Sequence, residues 1–203
     1  LKSPTFFLAT ADSKDSLGKD NSRTYFAFLQ DVLDHVTIVS NGSSPVERSL
    51  GPVAVPPEIE AIVPFQAAQL FGVEVGDRMV AAPPWQSALP HVTVVISGIF
   101  HKNEPGEDYW HMEESVFANS TGELFRTLPF YVTEDTLMNV LGRSLPKMKS
   151  TYAWHLQVEP RRINSKNAAL TLYHIGQMNR DLSSKLIDFR QTTDIDTTLR
   201  DYG

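Results

Sequence analysis

The run Val92-Thr93-Val94-Val95-Ile96-Ser97-Gly98-Ile99-Phe100 constrains this chain more than any other segment. Six of its nine residues are β-branched, which suits a pleated strand and disfavours a helix. So continuous an apolar run cannot present one face to water, so it predicts a strand covered on both faces or nearly so. Whatever else the chain builds must supply that cover.

Shorter strands are predicted at Thr5–Ala11, Thr37–Ser40, Arg78–Ala82 and Leu128–Val132, each rich in strand-forming residues and bounded by turn signals. Thr151–Glu159 alternates, with Tyr152, Trp154, Leu156 and Val158 on one face and Ala153, His155, Gln157 and Glu159 on the other, which predicts a half-buried strand ended by Pro160. Between Ser22 and Val36 the apolar residues Tyr25, Phe26, Phe28, Leu29, Val32, Leu33 and Val36 recur at three and four, so an amphipathic helix is expected there, capped by Asp20, Asn21 or Ser22. A short helix is expected over Ile62–Phe71, with Pro64 in its first turn and Gly72 just past its end. Thr133 can cap another over Glu134–Leu141, ended by Gly142, and Asn164 a long one reaching about Leu186.

Pro45, Pro52, Pro56 and Pro57 with Gly42 and Gly51 break the pattern near residue 55, and a second break falls near Thr121. Two outer pieces of strand-helix-strand type thus bracket a β-rich one. The expected architecture is α+β: a discontinuous mixed α/β subdomain, residues 1–55 and 121–203, carrying an inserted β-rich subdomain, residues 56–120.

Composition narrows the function classes. The 203 residues are 41% hydrophobic, enough for a sizeable core, and carry a net charge of −6, so no basic field exists to attract phosphate backbones and nucleic acid is not an expected partner. With no cysteine, disulfides, thiolate nucleophiles and cysteine-held metals are excluded. No apolar run is long enough to span a bilayer. The chain starts at Leu1 and ends in a polar segment, Thr192–Gly203, which suggests a module taken from a larger protein. A nucleophile elbow, a Walker phosphate loop, a dinucleotide fingerprint, a paired-histidine zinc helix and a calcium loop are all missing from the sequence.

One stretch has a chemical look. His101 to Glu114 holds two imidazoles (His101, His111) and five carboxylates (Glu104, Glu107, Asp108, Glu113, Glu114), a mixed nitrogen and oxygen donor set. Its spacing makes no helical pair of histidines, and Pro105-Gly106 suits a solvated charged loop, so no metal, cofactor or catalytic residue is assigned. Tyr109-Trp110, Trp85 and Trp154 read as packing aromatics, with Tyr109-Trp110 also a candidate recognition anchor. His155 and His174 read as structural or solvated. Asn41-Gly42-Ser43 and Asn119-Ser120-Thr121 match the glycosylation acceptor pattern, which is common by chance.

Gln69-Leu70-Phe71-Gly72-Val73-Glu74-Val75-Gly76-Asp77-Arg78-Met79-Val80, followed closely by Val92 to Phe100, carries a resemblance. With its flanks it looks like the extracytoplasmic domain of MacB- and FtsX-like ABC transporter permeases, in which a β-rich subdomain is inserted into a mixed α/β one. Ile62–Trp110 resembles the inserted part and Leu128–Leu186 the returning strand, helix, strand and helix, while the first 55 residues match in pattern only. The resemblance implies a non-catalytic domain on the outer side of a cell membrane, between transmembrane helices. An ATP-binding subunit or domain would lie across the membrane, and the outer partner would be an adaptor protein or the substrate. The alternative is an extracytoplasmic ligand-binding sensor domain of a membrane receptor.

Overall fold

In the computed structural model the chain divides into two compact units, Leu1–Trp154 and His155–Gly203. The structure describes residues 1–18, 21–39, 57–86, 90–110, 125–154, 162–164, 166–186 and 188.

The first unit is a β-barrel. Its strands are β1 (Phe6–Thr10), β2 (Ser22–Ala27), β3 (Val36–Ile38), β4 (Glu58–Pro64), β5 (Arg78–Ala82), β6 (Val92–Lys102) and β7 (Arg126–Tyr131). They run in the order β3-β6-β4-β7-β2-β1-β5, and β5 also pairs with β6, which closes six of them into a ring with β3 attached outside it. Closure leaves no open edge among those six. The β4–β6 and β2–β7 pairs are parallel, and the others are antiparallel. The ring's thinnest seam is β4–β7, where Ile62 opposite Tyr131 is the one paired position. Between β4 and β5 runs the helix α1 (Phe65–Phe71). After β7 comes a π-helical turn, Thr136–Leu141, that runs into the short α2 (Gly142–Ser144).

The expected α+β architecture is therefore corrected. A closed, mostly stranded barrel with a few short helices stands where strand-helix-strand units around an insertion were predicted, and its strands come from chain segments on both sides of residues 55 and 121. The decisive misreading is at Ser22–Val36. Residues 22–27 form β2, followed by a 3-10 turn at Val32–His35, and there is no long helix. The spacing of Tyr25, Phe26, Phe28 and Leu29 fits a helical stripe, but it fits equally a strand covered on both faces. Phe26 packs with Phe6 and Phe130 inside the barrel, whereas Tyr25 and Ala27 pack with Phe100, Trp110 and Tyr131 outside it. What selects the strand is pairing with β7, six residues in register from Ser22 opposite Arg126 to Ala27 opposite Tyr131, a partner about a hundred positions away.

The barrel is filled. Each strand turns alternate residues inward: Phe6 and Leu8, Phe26, Ile59, Ala61 and Val63, Met79 and Ala81, Val92, Val94 and Ile96, Leu128 and Phe130, nearly all fully buried. In β6 the alternation slips by one. Ala61 pairs with Ile96 but Ile62 with Gly98, so Ser97 is an extra residue. The bulge lets Ile99 rejoin the inner cluster while Phe100 turns outward to Tyr131, ring centroids 5.4 Å apart at 81°. Thus β6 serves both cores, the two-sided burial its composition demands.

The corner from α1 to β6 is held by backbone geometry. Gly72, at φ 64, ends α1, and the amides of Gly72 and Val73 donate to the carbonyls of Gln69 and Ala68 at 3.2 and 3.0 Å. Gly76, at φ 96, donates its amide to the Ile96 carbonyl at 2.8 Å, and Ile96 donates back to the Asp77 carbonyl at 2.9 Å. Asp77 Oδ2 accepts the Glu74 amide at 2.8 Å and so locks the turn from within.

The second unit contains α3 (Ala168–Lys185), within the helix expected from Asn164 to about Leu186. Ala168 is its one buried residue, and Leu170 and Tyr173 are each 56% exposed. Among the described residues no helix is long and apolar enough to cross a membrane. The strand expected at Thr151–Glu159 shows only a bridge between Thr151 and Lys2, and 155–160 lie outside the described residues.

Candidate functional site

The segment with the chemical look folds back on the barrel's outer core. β6 runs on to Lys102, and a 3-10 turn at Asp108–Trp110 then brings the chain against the 3-10 turn Val32–His35. Trp110, 1% exposed, packs with Phe100, Tyr131 and Ile62. Tyr109 meets its edge at 4.8 Å and stacks on the His35 ring, centroids 3.7 Å apart and 10° from parallel. His35 Nδ1 lies 3.0 Å from Glu107 Oε1, and the Tyr109 hydroxyl donates to the Gln30 carbonyl at 2.7 Å. Asn103 ties the same two segments, donating its amide to the His35 carbonyl at 2.9 Å and accepting from the Thr37 hydroxyl at 2.6 Å.

This cluster is a clasp in its geometry. Its one carboxylate–imidazole pair has the Tyr109 ring stacked on the imidazole, and the Tyr109 and Thr37 hydroxyls donate to the Gln30 carbonyl and the Asn103 side chain. Sequence reasoning singled out Tyr109 and Trp110 but not His35, whose part depends on a contact across 72 positions.

His101, the first imidazole of the candidate donor set, is exposed on β6 opposite Thr37, with its ring 4.3 Å from Phe65. Among the described residues no group of three or more histidine, aspartate or glutamate side chains converges as metal ligands would. His111, Glu113 and Glu114 lie outside the described residues, as do His155 and both glycosylation-pattern asparagines, Asn41 and Asn119. His174 is exposed on α3 with its ring edge toward Tyr173. Trp85 packs edge-on against Phe6 at 5.1 Å, but Trp154 is 67% exposed and Tyr152 51% exposed. Alternation predicts a buried face for those two, but both are exposed.

Among the described residues of the first unit, two of the cavities can be placed. One, about 170 Å³, lies among Leu8, Thr10, Ser22, Phe71, Met79 and Arg126. The other, about 270 Å³, lies among Leu137, Met138, Gly142, Met148, Ser150 and Tyr152. The perturbed titrations are at neither. Burial holds the Lys2 amine below its ordinary 10.5 and the Leu1 amine below 8.0, the latter against the opposing pull of Glu134. Between a lowered folded value and the ordinary one the unfolded chain binds more protons, so each amine makes stability rise with pH across its window.

Set beside known proteins, the chain matches no family model, no curated protein and no solved structure, so its fold and its site geometry are what a functional reading has to rest on.

Proposed function

We propose that this chain is a non-catalytic extracytoplasmic domain of an ABC transporter permease of the MacB- and FtsX-like kind, coupling ATPase-driven motion of membrane helices to the handling of a substrate or partner. The observation that carries the reading is the Gly72 to Phe100 corner. The residues that bear the resemblance are one mechanical unit, in which a glycine-capped helix, an Asp77-locked turn and the strand β6 hold one another by paired backbone bonds. The α/β scaffold expected around this corner is no part of the proposal.

The filled barrel supports a role in transmitting force or presenting surface. Its inward side chains are aromatic and aliphatic, and a packed core resists deformation and moves as a body. A ligand-binding sensor calls for a pocket of roughly 300–1,000 Å³. The two cavities named among the described residues hold about 170 and 270 Å³.

The test uses the complete reading frame. Alkaline phosphatase inserted at Gly106, where a side chain would meet open space, reports the side of the membrane, and purification in mild detergent reports the partner. The expected result is active phosphatase and a co-purifying ATP-binding polypeptide. Inactive phosphatase, or a membrane-free protein with no ATP-binding partner, would overturn the proposal.

A further inference from the structure

Residues 136–154 contain Arg143, Lys147 and Lys149 and no carboxylate, in a chain whose net charge is −6. The same segment concentrates exposed apolar surface. Its inner face is anchored by Leu137, Leu141 and Leu145, each fully buried. Its outer face shows Met138 at 41%, Tyr152 at 51% and Trp154 at 67% exposure. The Tyr152 hydroxyl reaches the Met138 sulfur at 3.4 Å, and the Tyr152 and Trp154 rings stack at 6.2 Å, 22° from parallel.

The cations adjoin this apolar face. Gly142 and Met148 line the same shallow cavity as Met138 and Tyr152, and Arg143, Lys147 and Lys149 are their immediate chain neighbours, all exposed. The backbone that presents them is ordered by internal bonds. The Leu145 amide donates to the Leu141 carbonyl at 2.9 Å and the Met148 amide to the Leu145 carbonyl at 3.1 Å, with Lys147 held at φ 66 between them. Thr151 and Lys2 exchange both of their backbone hydrogen bonds, at 2.8 and 2.9 Å. Just before the segment in the chain, Asp135 accepts from the Asn139 side chain at 2.7 Å.

We propose that this face, Met138, Tyr152 and Trp154 with Arg143, Lys147 and Lys149 around them, docks on an anionic phospholipid surface. Tryptophan and tyrosine combine an apolar ring with a polar edge and settle at the headgroup level of a bilayer. Lysine and arginine stems lie along apolar surface while their charges reach the headgroups. Local charge decides the attraction because the field of the chain's distant carboxylates decays within about 8–10 Å at ordinary salt. The inference does not depend on the permease reading. It requires only that a membrane carrying anionic lipid be within reach.

The experiment is sedimentation of the 203-residue chain with vesicles of phosphatidylglycerol and phosphatidylcholine in equal parts, against vesicles of phosphatidylcholine alone. Binding is expected to the anionic vesicles and to weaken as salt is raised. Each cation is worth about fivefold near such a surface, so the triple variant R143Q/K147Q/K149Q should bind on the order of 100-fold more weakly. These side chains are exposed, so far-UV circular dichroism of the variant should match the parent. Bromine-labelled acyl chains should quench tryptophan emission in the parent and not in Trp154→Phe, because the emission left comes from Trp85 and Trp110. Equal binding to both vesicle types, undiminished binding by the triple variant, or quenching that survives in Trp154→Phe would overturn the proposal. So would binding to soluble polyglutamate as strong as to the anionic vesicles, which would mark the face as a dock for acidic protein.

Discussion

Replacing Phe26 with alanine should cost about 3–5 kcal/mol, the range for emptying an aromatic site in a packed core. Phe26 is fully buried, its ring set edge-on to Phe6 at 5.0 Å and tilted on Phe130 at 5.7 Å, so neighbours on two other strands lose a packing partner together. The backbone around it is independently fixed. Ser3 donates its amide to the Phe26 carbonyl at 2.8 Å, and the Phe26 amide donates to the Ser3 hydroxyl at 2.9 Å, which limits collapse into the cavity. Against a total stability of about 5–15 kcal/mol this loss is large, and in a unit of this size it corresponds to a fall in Tm of roughly 6–20 °C. Leu70→Ala is the control. Leu70 is 57% exposed on α1 and should change stability by no more than about 0.5 kcal/mol. Guanidinium unfolding of both variants checks the pair, and equal midpoints would mean that Phe26 does not face the barrel interior.

The second large effect is expected from Gly76→Val. At φ 96 the Gly76 backbone lies where a β-branched residue is strained, although beyond its two chain neighbours no atom stands within 4 Å of the position its Cβ would take. The cost is therefore conformational, about 1–3 kcal/mol, and is not one of steric clash. A relaxed backbone would also draw the Gly76 amide off the Ile96 carbonyl, loosening the corner from which β5 enters the barrel. Gly106→Val separates the two causes, since Gly106 has equal room and no positive φ, and should be neutral within about 0.5 kcal/mol. Chemical denaturation of the two variants side by side is the measurement. A Gly76→Val protein as stable as its parent would show that the corner does not need a left-handed residue.

Local signals were readable wherever the chemistry is local. Gly72 closes α1 because glycine occupies the left-handed conformation without a Cβ penalty, and Arg78–Ala82 and Val92–Lys102 are strands because their own side chains favour the pleat. The sequence predicts Pro64 within the first turn of a helix starting at Ile62, but Pro64 ends β4, and α1 starts at Phe65. A proline at that junction suits either reading, and pairing of Ile62, Val63 and Pro64 with Gly98, Ile99 and Phe100 extends the strand. At the candidate clasp, aromatic content marked Tyr109 and Trp110, while the burial of one and the stacking of the other on His35 depend on a segment some seventy residues earlier.

The amino-acid sequence by itself determined that β6 would be a strand needing cover on both sides, that Gly72 and Gly76-Asp77 would make turns, and that no cysteine chemistry would exist. Tertiary structure alone decided that Tyr25 to Leu29 would not continue a helix, that β4 and β7 would meet at Ile62 and Tyr131 to complete a ring, and that Tyr152 and Trp154 would remain in the open. The reason is one of range. Turn geometry and β-branching act over a few bonds, whereas strand pairing joins residues a hundred positions apart and is set by which apolar faces can be covered together.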